Sequence, residues 1–526
     1  MSKFNSTSTG KGAARRTKSK DGVSAWKSTA YQDLCDRVLT SFYGEDRFYE
    51  SGKESADNIV SLIQTVAKED PVFVGKLAVL AREQFNLRSV SQVVAAELSK
   101  IHKGDSLVSQ VVERIAKRPD DLTEIVSYIL KDAKTVETAG GQTRKRNRKL
   151  STAIKKGISK AIVKLDEYQW SKYAGNGKEV KLTDLLNLVH PKPLNQAQSD
   201  LWKRAFEGKL KVAETWERKI SEAGQGAKTE SEKAEAKKSN WEELILTEKL
   251  GYMALLRNIR NIIQAGVSAE AHAKAQAYLS NEKAVLNSKQ FPFRYYSAFK
   301  IMANDSGLDP FTKQGYLRAL GKALSYSGKN IMPLKGRTVL ATDLSGSMGQ
   351  GISGDSTIMC KEVGAVLSSL ASQFCEESIV CGFGTNFQVI NVSGDSHRVL
   401  EDASIIMNTQ LGHSTDAGKV MQYLINNKIE VDQIMLFTDM QLNGSYGYGG
   451  SSLDSDIKRY RQSINKNVRI YELNLCGYGS TQIDSNDPNY IHMSGWNDSV
   501  LKYITEYQSL KNGIVDMVNQ VTLTIG

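Results

Sequence analysis

The sequence predicts a multidomain protein, an all-α helical-repeat region followed by an α/β domain of the doubly wound kind. Three observations lead there. The chain has 526 residues, more than one ordinary core fills. Through Ser327 apolar residues recur at helical spacing with few prolines, whereas after Lys335 short apolar runs alternate with amphipathic segments. Charge divides at the same place. Residues 335–526 hold 13 Lys+Arg against 20 Asp+Glu, and residues 1–334 hold 56 against 38, within a net charge of +11. An acidic C-terminal part is thus joined to a strongly basic first part, an asymmetry that points to a polyanionic partner.

Residues 1–22 are rich in Ser, Gly, Lys and Arg without an apolar period, which predicts a disordered basic tail. From Trp26 to Ser327 the pattern is helical throughout, with no convincing alternating strands. Amphipathic segments at 56–67, 75–82, 90–101 and 105–117 follow one another across short polar breaks, as in a helical solenoid of HEAT type. Residues 224–239, full of Lys, Glu and Ala, read as a solvated extension or a weakly packed helix end. Beyond Lys335 strands are expected at 338–342, 378–382, 433–438 and 468–475. Helices are expected at 358–373, 398–407, 416–426, 453–464 and 500–521. That alternation predicts a mainly parallel sheet covered on both faces.

The run Arg337-Thr338-Val339-Leu340-Ala341 leads into Asp343-Leu344-Ser345-Gly346-Ser347. A carboxylate followed by hydroxyls at alternate positions can line one small hollow with oxygen, the donor type that Mg²⁺ takes. The pattern resembles the metal-ion-dependent adhesion site of von Willebrand factor A (vWA) domains. That family's threonine is matched by Thr415 in Gly412-His413-Ser414-Thr415-Asp416, and its second aspartate by Asp439, which ends Ile434-Met435-Leu436-Phe437-Thr438. The resemblance implies five ligands, Asp343, Ser345, Ser347, Thr415 and Asp439, for Mg²⁺ or another divalent cation. Both aspartates follow expected strands, and ligands in open α/β sheets bind beyond the carboxyl ends of strands.

Three segments in the helical part carry a second resemblance. Leu185-Leu186-Asn187-Leu188-Val189-His190-Pro191-Lys192-Pro193, Ala254-Leu255-Leu256-Arg257-Asn258-Ile259, and Phe291-Pro292-Phe293-Arg294 with Ala298 occur in that order. With the vWA motif they resemble the TROVE family, to which the Ro autoantigen and its bacterial and phage relatives belong. The resemblance covers residues 25–526, although Phe291 stands where histidine is usual. It implies a ring of HEAT-like helical pairs at 23–334, closed by a vWA domain at 335–526. It further implies that Y-like RNA binds the outer basic surface and single-stranded 3′ ends of misfolded RNA enter a central hole. Noncoding RNA, rather than DNA or a membrane, is then the expected partner of a cytoplasmic monomer, with a 3′-to-5′ exoribonuclease as a second partner.

The residues themselves point the same way. Arg144-Lys145-Arg146-Asn147-Arg148-Lys149 precedes a helix whose Leu150, Ile154, Ile158 and Ile162 recur every fourth residue, while Lys156, Lys160 and Lys164 make a separate basic stripe. One buried face and one Lys-rich face suit phosphate contact. His190 matches by position a histidine that the family uses for Y RNA. Lys172-Tyr173 resembles the family's basic Lys-Tyr segment, but Ala174-Gly175-Asn176-Gly177 follows where an arginine is expected. Arg257 and Arg260 fall near the family's inner-ring helix, where they could meet single-stranded RNA or form ion pairs between helices.

Other classes find little support. No run of about 18 apolar residues exists for a membrane helix, and no apolar stretch near Met1 forms a secretory signal. The five cysteines, Cys35, Cys360, Cys375, Cys381 and Cys476, are odd in number without a CxxC pair, which predicts reduced thiols and no zinc. Neither a phosphate loop nor a nucleophile elbow is present, so a non-enzymatic protein is expected. A metal-dependent protein-binding adaptor without a primary RNA role is the alternative, and an RNA-processing enzyme the third reading.

Overall fold

The structure, a computed structural model, describes residues 15–18, 24–27, 29–40, 43–44, 51–131, 134–137, 143–146, 149–174, 178–211, 215–225, 229–290, 292–330, 333–352, 356–395, 398–440, 452–476, 481–484, 487, 489–495, 499–508 and 514–524. Helices dominate up to Ser327: α1 (Ala30–Thr40), α2 (Gly52–Glu69), α3 (Pro71–Glu83), α4 (Ser89–Ile101), α5 (Leu107–Ile115), α6 (Pro119–Lys131), α7 (Thr152–Ile162), α8 (Glu167–Lys172) and α9 (Leu182–Val189). They continue as α10 (Gln196–Phe206), α11 (Trp216–Gln225), α12 (Glu230–Leu246), α13 (Tyr252–Gln264), α14 (Ala269–Leu279), α15 (Glu282–Ser288), α16 (Pro292–Asn304) and α17 (Pro310–Ser327).

Local chemistry sets many of the boundaries. Asp70 caps α3 by accepting from the Phe73 N–H at 2.9 Å, and Pro71 holds the first helical position, where its missing N–H costs nothing. Asp166 and Gln169 form a reciprocal capping box that starts α8. In α7, Ile154, Ile158 and Ile162 are fully buried on the side facing α5, as their fourfold spacing predicts. The segment 224–239 largely joins helices α11 and α12, whose solvated stretches are anchored by Trp216 stacked on Trp241 at 5.8 Å.

Two departures concern strands. Arg15–Lys18 (β1), within the tail expected to be disordered, pairs antiparallel with Ser24–Lys27 (β2), just beyond it. Lys134–Glu137 (β3) pairs with Thr143–Arg146 (β4), inside a region expected to be helical throughout. Gly140-Gly141 between the β-branched Thr135-Val136 and Thr143 is a hairpin signal that the surrounding helical period obscures.

The second part is a sheet with six strands among the described residues, in the order β10-β9-β8-β5-β6-β7. These are β5 (Leu334–Asp343), β6 (Cys375–Phe383), β7 (Phe387–Val389), β8 (Gln433–Thr438), β9 (Arg469–Asn474) and β10 (Tyr490–Ser494). Pairing is parallel except for β7, which turns back on β6. Every residue of β8 is buried, as expected of a central strand covered on both faces. Side chains alternate between two cores: Leu340, Met435, Phe437 and Leu473 face one, and Val339, Ala341, Ile434 and Leu436 the other.

Among the described residues six α-helices complete this part: α18 (Cys360–Ser372), α19 (Val399–Asn408), α20 (Gly418–Asn426), α21 (Leu453–Ser463), α22 (Ser499–Gln508) and α23 (Ile514–Gln520). The single helix expected over 500–521 is therefore two, with Asn512-Gly513 in the sequence between them. The edge strands β7 and β10 are additions to the expected four. No described helix is long and apolar enough to cross a membrane.

The chain closes on itself. The first core cluster runs without a break from Tyr31 in α1 to Val521. At one end α1 packs on β10, α22 and α23, and α23 also touches α3. At the other, α17 packs on α19, and Lys300 of α16 forms an ion pair with the buried Glu362 of α18. The sheet domain thus grips both the first and the last helices.

Two of the five cysteines meet across the sheet domain. The Cys360 and Cys476 sulfurs face each other with Cα atoms 7.2 Å apart, wider than a relaxed disulfide spans, while Cys35, Cys375 and Cys381 are free. Cys360 opens α18 and Cys476 follows β9, so the sheet topology brings together residues 116 apart in sequence.

Candidate metal centre and nucleic-acid interface

Parallel pairing of β5 with β8 sets Thr342 opposite Phe437, which brings Asp343 and Asp439 to the same edge of the sheet. Both are fully buried, and Ser345 and Thr415 are nearly so. Asp343 accepts from the Ser345 N–H at 2.9 Å and from the Thr438 hydroxyl at 2.8 Å. The Ser345 and Ser347 hydroxyl oxygens stand 3.2 Å apart, and the Gln350 amide reaches Asp439 at 3.4 Å.

The loop carrying Thr415 is docked onto this turn by the Gly346 N–H, which donates to the His413 carbonyl at 3.1 Å. Gly412 bends that loop at φ +87°, where a side chain would be strained and its Cβ would lie 2.5 Å from the Thr385 hydroxyl. Burial, and next the charge of Asp439, push the Asp343 carboxyl well above the ordinary carboxylate range.

Two desolvated carboxylates that raise each other's cost fit a site for a cation. Among the described residues no three His, Cys, Asp or Glu side chains cluster as metal ligands. The five residues expected as ligands carry two carboxylates and three hydroxyls, all oxygen, a set that would suit Mg²⁺ rather than zinc. Thr438 and Gln350 are two site neighbours that sequence reasoning missed. Thr438 could have been found, since it directly precedes Asp439 and shares its strand end.

The basic residues fall into two groups. Arg144, Lys145 and Arg146 lie on β4, their side chains outside the described residues, as is all of Arg148. Lys149 and Lys156 are exposed, the latter on α7, which packs on α9. His190 ends α9 in the left-handed conformation at φ +51° and is exposed before Pro191. Lys172 is exposed at the end of α8. Arg257 and Arg260 stand apart on α13, which packs on α14, α15, α16 and α17.

Some of these charges are already engaged. Lys160 and Lys164 share Glu113 of α5 at 3.7 and 2.7 Å, so the stripe on α7 is partly neutralised by a helix that its own sequence does not reveal. Arg260 pairs with Asp305 at 2.7 Å, the interhelical ion pair that was one of its two expected roles. Arg257 is exposed on the same helix.

Comparison with known proteins bears on both halves. Residues 40–215 and 181–305, together just over half of the chain, match the TROVE domain, and residues 337–508 match the Ro60 vWA domain. Telomerase protein component 1 of Mus musculus is 24% identical over 318 residues, 46% of this chain and 11% of that protein. The RNA-binding protein RO60 of Deinococcus radiodurans is 23% identical over 249 residues, 45% of each chain. This chain therefore spans less than half the length of either relative. The crystal structure of the Deinococcus radiodurans RO (RSR) protein superposes with a TM-score of 0.64 over 91% of this chain and 99% of that one, at 16% identity, a likeness of fold.

Proposed function

From the premise that the chain belongs to the TROVE family of Ro-type RNA-binding proteins, we propose that it is a non-enzymatic scaffold with separate RNA and metal sites. Structured, Y-like noncoding RNA is held on the basic surface of α7, α8 and the end of α9. The 3′ ends of misfolded RNA engage the second basic group, on α13. The sheet domain takes Mg²⁺ with Asp343, Ser345, Ser347, Thr415 and Asp439. When bound there, the cation supplies a positive centre that an outside carboxylate can meet, which suits recruitment of an exoribonuclease.

The observation that carries this reading is segregation of charge. Exposed cations such as Lys156, Lys172 and Arg257 lie on helices, while the buried carboxylate pair lies at the carboxyl edge of the sheet in an acidic domain. Phosphate neutralisation by such cations releases counterions and makes binding fall with salt.

Filter binding of structured RNA across a salt series tests the reading. Nanomolar affinity at low salt with a steep loss as salt rises is expected. Micromolar or weaker affinity with a shallow slope would overturn it and favour the adaptor reading, which the oxygen-lined hollow supports independently of RNA.

A further inference from the structure

The surface at the end of α8 holds more than charge. The Lys172 ammonium lies 5.6 Å from the centre of the Tyr168 ring and 5.8 Å from that of Tyr173. The Tyr173 ring is faced in turn by the Arg118 guanidinium at 5.2 Å, from the turn before α6. Arg118, Tyr173, Lys172 and Tyr168 thus make a row in which cation and ring alternate, joining two segments about fifty residues apart.

Stability alone does not explain this row. Exposed cation–π contacts contribute only about 0.5–1 kcal/mol each. Tyr168 is 52% exposed, so half of a large ring remains in water instead of joining the core. The negative charge next to it is occupied elsewhere: Glu167 accepts from Arg204 at 2.9 Å and from the Lys211 N–H at 3.2 Å. Arg118 is partly neutralised by Asp120 at 3.1 Å, which leaves Lys172 as the stronger cation of the row. Nearby, α10 packs on α8 and ends in Phe206, a second ring that is 51% exposed, among the exposed Lys203 and Lys209.

We propose that this row is a stacking platform for single-stranded RNA, in which an unpaired base lies on Tyr168 while Lys172 and Arg118 meet the flanking phosphates. The proposal rests on the RNA reading above and names the form of RNA that this part of the surface takes. Ring faces accept any base, so contact of this kind tolerates sequence but requires bases that are not already stacked inside a duplex. A duplex could satisfy the lysines but would leave Tyr168 without a partner.

The test compares an unstructured oligouridine with a blunt RNA duplex of equal length, on the full chain and on Tyr168→Ala, Tyr168→Phe and Lys172→Ala. Tyr168→Ala should weaken oligouridine binding by roughly 5- to 100-fold, the range for losing one base–aromatic stack. It should leave the duplex within about twofold and the salt slope unchanged, because no phosphate contact is lost. Tyr168→Phe keeps the ring and should bind as the original chain does. Lys172→Ala should instead reduce the slope for the single strand by about 0.7. Oligouridine carrying 5-iodouridine should photo-crosslink to Tyr168.

Equal binding of oligouridine by Tyr168→Ala and the original chain would overturn the platform alone, as would equal losses for both RNAs. Failure of the original chain to bind either RNA would overturn the RNA reading and the platform with it.

Discussion

Two buried carboxylate clusters, one in each half of the chain, are handled in opposite ways. In the helical region the fully buried Asp121 accepts from Arg82 at 3.1 Å, from Gln92 at 2.8 Å, from the N–H groups of Lys117 and Arg118 at 3.1 and 2.9 Å, and from Arg88. In the sheet domain the equally buried Asp343 accepts from a serine N–H and a threonine hydroxyl, and the charge that weighs on it is another carboxylate, Asp439. The first cluster brings its own counter-charge and acts as structure. The second sets two carboxylates side by side, the arrangement that the proposed cation would answer. Basic composition is likewise no direct measure of RNA contact, since Arg82 and Arg88 are consumed inside the helical stack.

The largest effect should come from breaking the self-sufficient cluster. Asp121→Ala takes the carboxylate partner from the buried Arg82 and Gln92 and leaves Arg88 with Asp120 alone, a change that costs about 3–5 kcal/mol when a buried pair loses one partner. Urea unfolding followed by far-UV circular dichroism measures it. A loss below about 1 kcal/mol, the level of exposed ion pairs, would show that the cluster is not structural and would remove the contrast.

Asp343→Ala should behave in the opposite manner. The fold survives, because the change relieves repulsion with Asp439, but divalent binding measured by calorimetry should fall by more than about 100-fold, since even outer-shell losses cost 10- to 100-fold. RNA affinity should stay within about twofold, because no phosphate-binding charge is altered. RNA binding lost from a folded Asp343→Ala protein would break the separation of the two halves.

How much of this was legible depended on how local each cause is. Residues 433–438 read as a buried strand because all six positions are apolar or neutral and an aspartate follows, and β8 occupies that span. The meeting of Asp343 and Asp439 could be read because parallel strands gather their C-terminal ends at one edge, so two positions 96 residues apart needed no contact information. The edge strands were illegible for the converse reason. Phe387-Gln388-Val389 is too short to show a period, and β10 carries His492 in its middle. Ion pairs such as Lys164 with Glu113 and the meeting of Cys360 with Cys476 depend on packing between distant segments, which no local pattern encodes.

The seam between the halves gives a smaller effect. Lys76 donates to the Asn519 carbonyl at 2.8 Å and Arg114 to that of Thr522 at 2.7 Å, while Gln110 exchanges hydrogen bonds with the Thr524 backbone. These contacts tie the C-terminal segment across α3 and α5. Replacing Gln110 and Arg114 by alanine removes three exposed hydrogen bonds and should loosen it by about 1–2 kcal/mol, toward the low end of their worth. Faster amide exchange confined to α23 is the expected sign. Faster exchange throughout the sheet would mean that the halves unfold as one unit and that the comparison between them has no energetic basis.

The smallest effect returns to carboxylates and the cations that answer them. Arg260 and Asp305 form a pair 2.7 Å long, but the arginine is more than half exposed, so the pair is worth only about 0–1 kcal/mol. Such a pair is intermediate between the two buried clusters: it supplies its own counter-charge, yet weakly enough for a phosphate to compete. Arg260→Ala should therefore change RNA affinity by less than about twofold, because its charge is already largely cancelled. Arg257→Ala, three positions earlier on the same helix, should cost more and reduce the salt slope by about 0.7. Asp305→Ala carries the decisive sign. It frees Arg260 and removes a negative charge, so single-stranded RNA should bind up to about fivefold more tightly at low salt, the full worth of the exposed pair. The gain should shrink as the Debye length falls below about 10 Å above 0.1 M salt. Asp305→Ala that weakens binding would instead mean that the pair positions α13 for RNA, and that Arg260 acts through structure rather than charge.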